Sequence, residues 1–67
     1  MKVKINDELK EIAENSKIID ILEAEEIIEP VAVDVFVNGE KVNFEDYESF
    51  KLKEGDEIEI VYLFASG

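Results

Sequence analysis

The sequence predicts an α+β fold in which one helix covers one face of a mixed sheet of four to five strands. Three observations carry that expectation. Runs near the start, middle and end of the chain alternate apolar and polar residues, the period of a half-buried strand. One run, from Lys17 onward, places its apolar residues three and four apart, the period of a helix. Turn-forming residues separate these runs at Asn6-Asp7, Pro30, Asn38-Gly39 and Glu54-Gly55-Asp56.

Met1-Lys2-Val3-Lys4-Ile5 alternates apolar residues with lysine and reads as the first strand. Asn6-Asp7 is a turn signal, and Glu8 to Ile12 alternates again through Leu9, so the two runs predict a hairpin. Ser16 is the expected helix N-cap, because its hydroxyl can accept a free backbone N–H one turn on. Ile18, Ile21, Leu22 and Ile28 then fall close to one helical face, and Ile19 and Ile27 widen the stripe. Pro30 is expected to end the helix, since a proline pushes its predecessor out of helical angles.

Val31 to Val37 is the clearest strand, with Val31, Val33, Val35 and Val37 on one side and Ala32, Asp34 and Phe36 on the other. Asn38-Gly39 predicts a tight hairpin into Lys41-Val42. An irregular polar segment comes next, in which Tyr47 is expected to act as a lid on the core. Glu57 to Leu63 is the last strand. Ile58 and Ile60 point inward, Tyr62 inward by parity, and Glu59, Val61 and Leu63 outward. The order is β-β-α-β-β-β. Residues 1–63 are expected to form the domain, and Phe64, Ala65, Ser66 and Gly67 a flexible tail.

Composition narrows the function. With no Cys and no His there is no thiol nucleophile, no imidazole base and no ordinary zinc site. No metal site or cofactor is expected. All seven cations are lysine, so no bidentate arginine clamp on phosphate exists. A net charge of −11 disfavours nucleic acid and anionic membrane, steers basic proteins inward, and favours a monomer. No apolar run approaches the roughly 20 residues of a membrane span, so the expected location is the cytoplasm. A deep catalytic pocket is hard to build in 67 residues, and the expected role is not enzymatic. Glu23, Glu25, Glu26 and Glu29 read as a solvated helix face, not as a metal cluster.

Several stretches together resemble one family. Met1 to Asp7 looks like a first strand and turn, Val37-Asn38-Gly39-Glu40-Lys41-Val42 like a central hairpin, and Glu54-Gly55-Asp56-Glu57-Ile58-Glu59-Ile60 like a turn and final strand. Tyr47 stands where that family carries an aromatic. The chain resembles the β-grasp (ubiquitin-like) sulfur carriers of the ThiS and MoaD type, nearest to the thiamin-pathway ThiS carriers. The resemblance implies that an ATP-dependent, ubiquitin-activating-like enzyme adenylates the carboxylate of Gly67. A sulfur donor such as a cysteine desulfurase then converts it to a thiocarboxylate, and a sulfur-accepting synthase takes the sulfur. Phe64, Ala65 and Ser66 would form the tail that reaches the partner. Phe36, Val61 and Leu63, on the outward side of the sheet, are the expected partner-docking patch.

One departure bears on this reading. The family ends in Gly-Gly, and this chain has Ser66-Gly67. If the bound tail needs a positive φ at that residue, Ser costs on the order of 1–2 kcal/mol. If the tail binds extended, Ser fits. Three outcomes stay open: a working carrier with a tolerant activating enzyme, a relative that has lost activation, or a ubiquitin-like interaction module with an inactive tail.

Overall fold

The structure is a computed structural model and describes residues 1–63. β1 (Lys2–Ile5) and β2 (Glu8–Glu11) form an antiparallel hairpin across Asn6 and Asp7, both at positive φ. The helix α1 (Ile18–Ala24) comes next, then a 3-10 turn at Pro30–Ala32. β3 (Val33–Val37) and β4 (Glu40–Val42) make the second hairpin. A 3-10 turn at Phe44–Asp46 precedes β5 (Glu57–Tyr62).

The sheet order is β2-β1-β5-β3-β4. β5 lies between β1, to which it is parallel, and β3, to which it is antiparallel. The sheet is therefore mixed and five-stranded, with its first and last strands side by side. Val3, Ile5, Val33, Val35, Val37, Val42, Ile58 and Ile60 present one face, and Ile18, Ile21 and Leu22 of α1 complete the core with Tyr47 and Leu52. Each such side chain, fully buried, contributes about 1.5–3 kcal/mol. That alternation sets the other face: the residues between them must look outward.

α1 begins and ends differently from the sequence expectation. Lys17, not Ser16, occupies the N-cap position. The Ser16 hydroxyl instead donates to the Ala13 carbonyl at 2.6 Å, closing the preceding turn. The first turn is secured from the other side, where the Asp20 carboxylate accepts the Lys17 N–H at 2.8 Å. The helix stops well before Pro30. Glu26 adopts φ 60°, its N–H donates to the Glu23 carbonyl at 3.0 Å, and the Ile27 N–H donates to the Leu22 carbonyl at 2.9 Å. This is a Schellman C-cap, with Ile27 packed back on the core. A left-handed Glu costs about 1–2 kcal/mol, offset by satisfying two helix-end carbonyls.

The early stop displaces the residues after it. Ile28 is not on a helical face and stands 92% exposed. Pro30 starts the 3-10 turn, where its fixed φ and missing N–H fit the first position. Val31 falls in that turn, is exposed, and does not join Val33, Val35 and Val37. In the first hairpin, Leu9 faces outward and Lys10, opposite Val3, takes the helix side. Lys10 meets Glu25 and Glu8, each at 3.5 Å, and these carboxylates, Glu25 foremost, raise its pKa.

Candidate functional site

The region that concerns function is the outer face of the sheet and the end of β5. The root of β5 is fastened by polar side chains. Asn38, at φ 52° in the β3–β4 turn, accepts the Glu57 N–H on Oδ1 at 3.0 Å and donates from Nδ2 to Asp56 at 3.0 Å. Buried Asp56 also accepts the Lys53 N–H at 2.8 Å. From the opposite flank, Asn6 Oδ1 accepts the Ile60 N–H at 2.8 Å. The Asn-Gly hairpin signal thus supplies both a turn and a clamp on the last strand.

Beyond Ile60 these restraints cease. β1 pairs with β5 only at Glu57 and Ile58. From Val61 on, β3 is the one flanking strand among the described residues, with Asp34 opposite Val61 and Val33 opposite Tyr62. One further bond, from the Leu63 N–H to the Ala32 carbonyl at 2.9 Å, carries the pairing to the last described residue.

Phe36 is opposite Glu59, which makes Val61 its diagonal neighbour on the outer face, and Leu63 follows just beyond the end of β5. The fold therefore brings Phe36 and Val61 to one face of two paired strands, with Leu63 one residue past the end of β5. Phe36 is half-buried, and Val61 and Leu63 are 38% and 48% exposed. Asp34 lies among them and is met by Lys41 at 3.5 Å. Toward the root, Lys4, Asn6, Phe36, Glu57 and Glu59 line an open groove of about 510 Å³ whose polar walls contrast with the apolar strip at the exit.

Tyr62 is a correction. Parity places it on the helix side, yet it is 62% exposed. Its rung partner Val33 is buried, with the Tyr47 hydroxyl against its carbonyl, so cover on the helix side reaches β3 at this rung but not β5. β5 thus leaves the sheet with Val61, Tyr62 and Leu63 exposed on both faces. The sequence reading missed this because alternation reports which face a residue takes, not how far across the sheet the covering layer extends. Phe64, Ala65, Ser66 and Gly67 lie outside the described residues.

Among the described residues no group of three or more acidic side chains is placed to hold a metal ion. No helix there is long and apolar enough to cross a membrane.

Comparison with known proteins agrees with this architecture. The chain matches the family model described as the ThiS family over residues 3–67. No curated protein matches it. It is similar to the crystal structure of the thiamine biosynthesis protein (ThiS) from Geobacter metallireducens, at 26% identity and TM-score 0.83 over 100% of both chains. The NMR solution structure of a thiamine biosynthesis protein from the same organism is similar at 26% identity and TM-score 0.82, covering 100% of this chain and 88% of that one. One helix on a five-stranded mixed sheet is the β-grasp arrangement expected from the sequence, and with a match running from β1 to Gly67 the chain belongs to the ThiS family of sulfur carriers.

Proposed function

We propose that this protein carries sulfur for thiamin (thiazole) biosynthesis or a related pathway, on the carboxylate of Gly67, and is not itself an enzyme. The observation that carries the proposal is the family match, which extends through Gly67. Chemistry supports it. Reactive sulfur travels on proteins as a cysteine persulfide or as a thiocarboxylate, and this chain has no Cys. A carboxylate is the group left to hold it.

A carboxylate is a poor acyl donor and must first be activated. A Gly67 oxygen attacks the α-phosphorus of ATP in an adenylating partner, and pyrophosphate leaves. The terminal sulfur of a persulfide, on a donor such as a cysteine desulfurase, then attacks the carbonyl carbon and displaces AMP, and a thiol reductant cleaves the resulting acyl disulfide to free the thiocarboxylate. The thiocarboxylate is delivered to a synthase. Glycine suits this role because a residue without Cβ lets the backbone approach the phosphate closely. The exposed exit of β5 supports the same reading, since a partner can reach Val61 to Leu63 on either face without displacing core residues. In this mechanism the strip of Phe36, Val61 and Leu63 docks the adenylating partner beside the tail.

Deleting Gly67 tests the proposal: sulfur transfer is expected to vanish while the urea unfolding curve stays unchanged. Retained transfer would overturn it. Ser66 favours a second reading, an interaction module with an inactive tail. There, Phe36→Ala or Leu63→Ala weakens partner binding, whereas removing Ser66 and Gly67 leaves it intact.

A further inference from the structure

On the helix side of the molecule, a second apolar site is built where three segments converge. Ile19 of α1, Pro30 of the first 3-10 turn, and Phe44 and Tyr47 around the second line a groove of about 210 Å³, completed by Glu45 and Glu48. Backbone bonds fix the convergence: the Ile19 N–H donates to the Tyr47 carbonyl at 3.0 Å, and the Ile18 N–H to the Phe50 carbonyl at 3.2 Å. The rings of Phe44 and Tyr47 meet edge to face, with centroids 5.7 Å apart. Tyr47 is buried, and Phe44 is 53% exposed and forms the open wall.

Size and charge say what fits. The volume lies below the roughly 300–1,000 Å³ of small-molecule sites, so it suits one side chain better than a metabolite. Among the described residues its lining holds two carboxylates and no cation. A lone exposed Phe means little. An exposed aromatic wall over an apolar floor with acids at the rim is a more specific combination.

We propose that this groove docks an arginine side chain from a basic surface of a partner protein. The guanidinium stacks on Phe44 and meets the carboxylate of Glu45 or Glu48, and its methylene stem lies along Ile19 and Pro30. Arginine fits better than lysine because its planar fork both stacks on a ring and bonds a carboxylate in the same pose. A second copy of this chain cannot supply the group, since all seven of its cations are lysine. The net charge of −11 steers a basic partner toward it. The proposal does not depend on sulfur carriage.

The test is an NMR titration of the isotope-labelled protein at physiological salt with acetyl-Arg-Leu-amide. The lysine and citrulline analogues of that peptide are run beside it. Amide shifts are expected to concentrate at Ile19, Phe44, Glu45, Tyr47 and Glu48, with lysine weaker by about fivefold and citrulline silent. Phe44→Ala and the pair Glu45→Gln, Glu48→Gln should each weaken the arginine peptide by about fivefold or more. Removing the same charge around the C-terminal end of α1, by Glu23→Gln with Glu26→Gln, should change it by less than about twofold. Equal affinity for arginine and lysine, shifts spread over the acidic residues of α1 and β5, or binding unchanged in Phe44→Ala would overturn the proposal.

Discussion

The two ends of β5 are built on different principles. The root has a strand on each flank, and three polar side chains, Asn6, Asn38 and Asp56, tie it to both neighbours. Among the described residues the exit has β3 on one flank only, and its last three described residues are exposed. Firm anchoring at one end lets the other end be open without loss of the fold. That asymmetry suits the proposed presentation of Gly67, in which a partner grips the end of the strand without dislodging its start.

The sharpest way to break this comparison is to weaken the root. Ile58→Ala removes a buried side chain from the root and should cost about 3 kcal/mol in urea unfolding, a large share of the roughly 3–10 kcal/mol expected for a domain this size. A loss similar to that of an exposed substitution would mean the root is not the anchor. Asp56→Ala should cost about 2 kcal/mol, since it leaves the Lys53 N–H and the Asn38 amide without their acceptor.

A pH series adds a third comparison. Burial, aided by the Asp34 charge, raises the Tyr47 pKa above its ordinary value of about 10. The folded protein therefore holds the phenolic proton more tightly than the unfolded chain. The resulting stability is fully present below about pH 10 and is lost as pH rises through the folded pKa. Lys10, whose pKa is also raised, loses stability in the same alkaline range, so wild type alone cannot separate the two. Tyr47→Phe should remove only the phenolic part of the alkaline decline, read from urea midpoints across that range.

The smallest effects on stability belong to the exit. Tyr62→Ala and Leu63→Ala should each stay within about 0.5 kcal/mol of wild type, as exposed positions do. Leu63→Ala should nevertheless slow the proposed thiocarboxylate formation severalfold, because it takes apolar area from the proposed docking strip. Unaltered formation would confine recognition to the tail.

Much of this was legible in the sequence, and the exceptions have physical causes. The strands around Val3, Val35 and Ile60 were readable because alternation on a half-buried sheet is a strong, local signal. The second hairpin was readable from Asn38-Gly39, whose positive φ values of 52° and 85° the residue types allow. The end of α1 was not, because its left-handed cap falls on Glu26, a residue with no tendency to mark one, while Pro30 offered a reasonable but later stop. The misplacement of Ile28 follows from that early termination, that of Val31 from the 3-10 turn that Pro30 opens, and that of Tyr62 from cover that reaches Val33 but not its partner on β5. Phe36, Val61 and Leu63 could be assigned to a face from parity, but the adjacency of Phe36 and Val61 depends on β3 and β5 pairing, which a local pattern does not encode. The groove under Phe44 was illegible for the same reason, since its walls come from three separate segments.

The central claim is that Gly67 carries the sulfur, and intact-mass spectrometry tests it most directly. The protein is incubated with ATP, an adenylating enzyme of the family and a sulfur donor, then weighed. A gain of about 16 Da, sulfur for oxygen, is the predicted result, and it should be absent from the chain lacking Gly67. An unchanged mass in the wild type, with the gain appearing in Ser66→Gly, would contradict the claim and show a domain that now works by binding.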